Sequence, residues 1–186
     1  MTLDPFNFYT TPGIRFGNGQ AKDSCEEIFK QLGSRILFIT DKGLMSLGLT
    51  KPTIEELKKN GSVEVFDDVE ADPSQKTLLK AIDAGKKFKA TGVIGFGGGS
   101  SMDVAKLSAL ILGSNEDLEK AWGVANAKGP RLPLALVPTT AGTGSEVTPV
   151  SIITVGEEEK KGVSSPIILP DLAILDPELT LGLPAT

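Results

Sequence analysis

Histidine is absent from the 186-residue chain, and no other gap in its composition excludes as much chemistry. A Ser-His-Asp triad, an imidazole general base and a His-rich metal site cannot be built from this sequence. Cysteine is nearly as scarce. Cys25 is the single one, so no internal disulfide can form; it stands in the helical pattern KDSCEEIFKQLG and reads as buried filler rather than a nucleophile. There is no excess of basic residues. A net charge of -5 argues against a nucleic-acid partner, which calls for a clustered basic face. The densest charged run, Glu157-Glu158-Glu159-Lys160-Lys161, is short and mixed in sign. Long apolar runs are also missing: none approaches the roughly 18 to 20 residues that span a bilayer. The N-terminus MTLDPFNFYTTPG has no basic-then-apolar signal pattern. These features predict a cytoplasmic chain without a membrane partner.

What is present belongs to a globular domain with a core: 40% hydrophobic and 23% charged residues in a chain of ordinary domain length. From Gly17 the patterns alternate. GNGQAKDSCEEIFKQLG has helical apolar spacing and stops at Gly33, and RILFIT (35–40) reads as a buried strand. KPTIEELKKNG has Pro52 in its first turn and closes at Gly61, a helix with start and stop signals. SVEVFDD (62–68) is the next strand. DPSQKTLLKAIDAGKKFKATG is a helix, VIGFG (93–97) a strand, SSMDVAKLSALILG (100–113) a helix ended by Gly113, and LPLALVPTT (132–140) a strand. Strands separated by helices of this length predict parallel crossovers, and so a doubly wound, mostly parallel α/β sheet of the Rossmann-like kind. After Gly144 a small hairpin region is expected, with VTPVSIITV alternating like a strand and KKGVSSP turning into another. LAILDPELTLGLP reads as a strand and then the start of a helix. With Pro177 and Glu178 placed so near Thr186, the pattern predicts a fragment of a longer protein.

VIGFGGGSSMDVAK (93–106) concentrates four glycines in residues 95–99. In open α/β sheets, ligands lie outside the carboxyl ends of strands, and residues 97–100 occupy such an end. A helix starting near Ser100 directs unpaired N–H groups and a positive dipole end there. Gly97, Gly98 and Gly99 let an anion approach bare backbone, and Ser100 or Ser101 can cap the helix. A tight turn would need one or two glycines; three followed by two serines favour a phosphate. The run is not the usual dinucleotide fingerprint, which needs a spaced third glycine and a later acidic residue, and it is not a Walker loop.

A second strand end is also polar. LVPTTAGTGSEVT (136–148) sets Thr139, Thr140, Thr143, Ser145 and Thr148 around Gly142 and Gly144, a wall of hydroxyls facing the glycine loop. A third strand end carries Asp41 in LFITDKG. That carboxylate can accept hydrogen bonds from a ribose diol and repel a 2′-phosphate, or it can cap the following helix.

Taken together and in this order, ITDKG, GFGGGSSMDVAK and PTTAGTGSEVT resemble the iron-containing (group III) alcohol dehydrogenases of the dehydroquinate synthase-like superfamily. EKKGVSSP and LPDLAILDPELT fit the same family. The resemblance runs from Gly13 onward and matches only the N-terminal half of such an enzyme. It implies that residues 1–186 form an NAD-binding domain. Gly98, Gly99 and Ser100 match the pyrophosphate loop, with Asp103 in the turn behind it. Thr139, Thr140, Thr143 and Thr148 match a second cofactor-lining segment, Lys161 matches a lysine that reaches the cofactor ribose, and Asp41 matches a residue associated with NAD over NADP. Asp72, in EADPS, departs from the Asn of many members. Lys161 by itself reads as a solvated hairpin lysine.

The resemblance also implies a divalent iron or zinc, held by one Asp and three His of a helical C-terminal domain that this chain lacks. Asp176, in LDPELT, is a strand-to-helix cap rather than a ligand. The expected function is the NAD-binding portion of a metal-dependent dehydrogenase that moves hydride between a small alcohol or aldehyde and NAD, inactive as this fragment alone. The alternatives are an inert nucleotide-binding module and a glycerol dehydrogenase-type relative. The family implies a possible homodimer through FNFYTTPGIRFG.

Overall fold

Alternation along each central strand decides which layer its side chains join. In the computed structural model, which describes residues 6–182, the strands are β1 (Gly13–Phe16), β2 (Arg35–Ile39), β3 (Ser62–Phe66), β4 (Gly92–Gly97), β5 (Gly123–Val124), β6 (Leu134–Pro138), β7 (Val150–Val155), β8 (Glu159–Ser164) and β9 (Leu172–Leu175). Ile36 and Phe38 of β2 join Ile94, Phe96, Ala135 and Val137 in one apolar layer. Leu37 and Ile39 join Val93, Leu134 and Leu136 in the other. This period of two in strands buried on both faces defines a central parallel sheet. Its order is β1-β9-β6-β4-β2-β3, and every pairing is parallel.

Helices cover both faces. The first pattern splits at Ser24 into α1 (Gln20–Asp23) and α2 (Cys25–Leu32), and α3 (Lys42–Ser46) and α4 (Lys51–Lys58) follow β2. Ile28 and Leu32 of α2 and Ile54 and Leu57 of α4 close the Phe38–Phe96 layer, where the two rings stack with centroids 5.4 Å apart. The opposite layer is closed by α5 (Gln75–Phe88) and α6 (Gly99–Ser114); a short α7 (Leu118–Ala121) follows. Gly95 lets α6 settle on β4, since a Cβ there would stand 2.7 Å from that of Ala105.

The hairpin near the C-terminus is antiparallel β7–β8, with β5 on its outer edge. It packs against the far side of α6, so Ser101, Met102 and residues 104–111 of that helix are all buried. The fold is therefore doubly wound α/β, Rossmann-like, with a small mixed sheet.

Several boundaries differ from the expected ones. Helix α6 passes Gly113 and ends at Ser114, with Asn115 in the left-handed conformation at φ 55°. Gly113 serves packing instead, because a Cβ would fall 2.5 Å from the backbone of Arg131 and Leu132. The α6 cap is Gly98, in extended backbone with no side-chain bond; Ser100 and Ser101 lie inside the first turn. KKGVSSP is mostly strand rather than turn, the turn falling at 156–158 with Gly156 at φ 66°. Pro177–Thr180 forms a single 3-10 turn, residues 181–182 are turn rather than helix, and residues 183–186 lie outside the described residues. Asp176 caps that turn and also accepts from Gly19 N and Ala21 N, at 3.1 and 3.0 Å.

Candidate functional site

Three parallel strands, β2, β4 and β6, end side by side, and the residues that follow them form a groove. Thr139 N donates to Gly97 O (3.0 Å), which ties the polar loop after β6 to the glycine loop after β4. Helix α6 begins where they meet. Its first intrahelical donor here is Met102 N, which reaches Gly98 O (3.2 Å). The amides of Gly99, Ser100 and Ser101 precede it and point out of the helix end.

The glycines have different causes. Gly97 is needed by the fold: its φ is +149°, and a Cβ would lie 2.6 Å from Ser101 Oγ. Gly98 is not. Its φ of -76° and ψ of -172° are open to any residue, and a Cβ would meet only Thr140, at 3.7 Å. A Cβ on Gly99 would meet Thr143 Cγ2 at 3.2 Å. The pair thus forms the bare floor of a trough walled by Thr140 and Thr143. Thr140 Oγ1 is buried and has no hydrogen-bond partner among the described residues. An open floor, a set of free amides and an orphaned hydroxyl fit a diphosphate, which offers acceptors to all of them.

Two cavities meet at Ser100. One of ≈ 540 Å³ is lined by Asp41, Gly98, Ser100, Thr139 and Thr140. The other, of ≈ 480 Å³, is lined by Gly99, Ser100, Asp103, Thr143, Thr148 and Lys160. The structure therefore draws nine of the eleven expected site residues around one continuous groove, with Gly97 beneath the trough. Asp41 does both things open to it, bordering the cavity while its Oδ1 accepts from Leu44 N (2.9 Å) as the α3 cap.

Lys161 is placed elsewhere. It lies opposite Ile153 in the hairpin, on the face that meets Glu119 (3.9 Å). Its neighbour Lys160 takes the cavity side and forms an ion pair with Asp72 across the rim. Asp72 holds a left-handed φ of 52°.

Asp103 borders the second cavity, but its oxygens are engaged. Oδ1 accepts from Ser145 Oγ (2.8 Å) and Oδ2 from Ile152 N (3.0 Å). Burial pushes its carboxyl above the ordinary range, and these donors with Lys106 pull it back. It braces the loop after β6 against α6. Lys160 and Lys106 are not among the residues that the sequence patterns point to, whereas Ser145 is one of the hydroxyls of the loop after β6. A lysine in the middle of an apolar helix was the available signal for Lys106. Cys25 is buried, and its thiol, pushed up to about 12 chiefly by burial, is no nucleophile.

Among the described residues no group of three or more His, Cys, Asp or Glu could hold a metal ion. No helix among them is long and apolar enough to cross a membrane.

The model of one family, iron-containing alcohol dehydrogenase, matches residues 11–177. The sulfoacetaldehyde reductase of Bilophila wadsworthia is 37% identical over 182 residues, covering 96% of this chain and 47% of the relative. A crystallised 1,3-propanediol oxidoreductase superposes with a TM-score of 0.92 at 29% identity, over 98% of this chain and 48% of that one. Sulfoacetaldehyde reductase from Bifidobacterium kashiwanohense, solved in complex with NAD+, superposes with a TM-score of 0.82 at 34% identity, over 97% and 49%. The chain spans about half the length of the curated relatives it matches.

Proposed function

The chain belongs to the iron-containing alcohol dehydrogenase family, and from that premise we propose that residues 1–186 are the NAD-binding portion of a dehydrogenase acting on a small alcohol or its aldehyde. The observation that carries the proposal is the trough at Gly98–Gly99, left bare at Gly98 where neither backbone angles nor packing require glycine. In this reading the diphosphate lies on the amides of Gly99 and Ser100, Thr140 Oγ1 donates to it, and Thr139, Thr143 and Thr148 line the path of the dinucleotide. Asp41 accepts from the ribose diol at one end. At the other end Lys160 stands closer to the groove than Lys161, the lysine that the resemblance favours. NAD supplies the hydride acceptor.

These residues bind and orient one reactant. The described residues offer no group that fits iron or zinc, so in this reading a metal would take its ligands from outside them, and the chain alone should bind cofactor without turning over alcohol. A cytoplasmic setting and pairing of two copies along β1 complete the proposal. Strand β1 is a sheet edge whose Phe16 is 76% exposed, the kind of edge that accepts another strand. The test is a fluorescence titration with NADH. Saturable binding supports the reading, and a flat response at millimolar NADH refutes it.

A further inference from the structure

Lys106 is the largest polar side chain in the core, with no exposed surface. It lines neither cavity, yet its ammonium meets the loop that does. Nζ donates to Ser145 Oγ (2.9 Å), Thr148 O (2.9 Å) and Val150 O (2.7 Å). Ser145 in turn donates its hydroxyl proton to Asp103 Oδ1 (2.8 Å), and its amide donates to Thr143 Oγ1 (3.3 Å). Three N–H donors meet three acceptors.

A neutral amine has two N–H groups and cannot satisfy that set. The two carbonyls have no proton to give, and if Ser145 turned its proton to the amine, Asp103 would lose a donor. Deprotonation therefore orphans a buried acceptor whichever way the hydroxyl turns. The charged groups facing Lys106 are Asp103 from its own helix and Glu146 from the loop after β6. β7 faces it with the Val150 carbonyl.

We infer that Lys106 is a positioning residue for the cofactor groove: its ammonium holds residues 143–150 against α6, so that Thr143 and Thr148 face the diphosphate trough. The inference rests on the NAD-binding reading above. Burial brings the Lys106 ammonium from its ordinary value of 10.5 down to about 8, against the pull of Asp103 and Glu146. If only the protonated form keeps the loop in place, NADH affinity falls about tenfold between pH 7 and pH 9, following the competent fraction.

Folding stability takes the opposite sign. Between pH 8 and 10.5 the unfolded chain holds a proton on this lysine that the folded chain has released, so this group's contribution to stability grows with pH. General loosening of the fold would not separate the two trends.

The experiment titrates the 186-residue chain and its Lys106→Met variant with NADH at pH 7, 8 and 9, with thermal melts at each pH. The wild type should lose affinity across the series without a matching loss of stability. The variant should bind on the order of tenfold more weakly at pH 7 and show no further pH dependence. A folded variant that binds like the wild type overturns the inference. So does a wild-type affinity that stays flat from pH 7 to 9, which decides the matter even if the variant fails to fold. Absence of wild-type binding at pH 7 overturns the cofactor reading and this inference with it.

Discussion

Replacing Gly98 with alanine adds one methyl group to the floor of the trough and almost nothing else. Its φ of -76° and ψ of -172° suit alanine, and the new Cβ would meet Thr140 at an ordinary 3.7 Å. Two small effects on folding oppose each other. Alanine restricts the unfolded chain, worth about 0.4–1 kcal/mol, but caps a helix less well than glycine, by about 0.5–1 kcal/mol. Their near cancellation predicts a melting temperature within about 3 °C of wild type for a domain of this size. Binding should respond very differently. The methyl occupies the space assigned to a diphosphate, and overpacking of that kind costs about 1–3 kcal/mol, a loss of roughly 5- to 150-fold in affinity. NADH titration and thermal melting of Gly98→Ala read the two effects separately. Gly97→Ala is the internal contrast, since φ +149° and the 2.6 Å approach to Ser101 Oγ should lower its stability by about 1–3 kcal/mol. A Gly98→Ala chain that binds NADH as tightly as wild type would reduce the loop to a turn. One that melts many degrees lower would show that the fold itself required the glycine.

Asp41→Gly should shift selectivity toward NADPH by at least about fivefold, the ~1 kcal/mol that two unit charges 4 Å apart exchange even in water. Competing NADH and NADPH titrations measure it, and an unchanged ratio removes Asp41 from the ribose end. Cys25 predicts a loss of stability in alkali. Its folded thiol keeps its proton up to about 12 against an ordinary 9.0, so the unfolded state releases that proton first. The stability it contributes is complete below pH 9 and drains away as pH climbs toward 12. Urea melts at pH 8, 9.5 and 10.5 should fall more steeply for wild type than for Cys25→Ala, and parallel curves would contradict the assignment.

The central strands could be read from the sequence because burial on both faces leaves an unbroken apolar run, as in Ile36–Ile39 and Leu134–Val137. The carboxyl-end position of the glycine loop followed from that reading. Other features depend on partners far along the chain. Lys160 and Lys161 point to opposite faces of β8, and the pairing of Lys161 with Ile153 decides which of them meets the groove. A one-residue slip would exchange them, and pattern alone does not set that register. Lys106 finds its acceptors some 40 residues later, beyond any local periodicity. Gly113 resembled a helix stop, but it is small so that the chain entering β6 can pass. The two serines after the glycines resembled caps, while the extended Gly98 takes that position and frees the trough. In each case the local rule was sound and a tertiary neighbour overrode it.

The most direct measurement is a crystal structure of this chain grown with NADH. The account predicts diphosphate oxygens about 3 Å from the amides of Gly99 and Ser100, with no protein side chain between them and the floor at Gly98. A dinucleotide bound away from the carboxyl ends of β2, β4 and β6, with the trough filled by threonine or serine side chains, would contradict it.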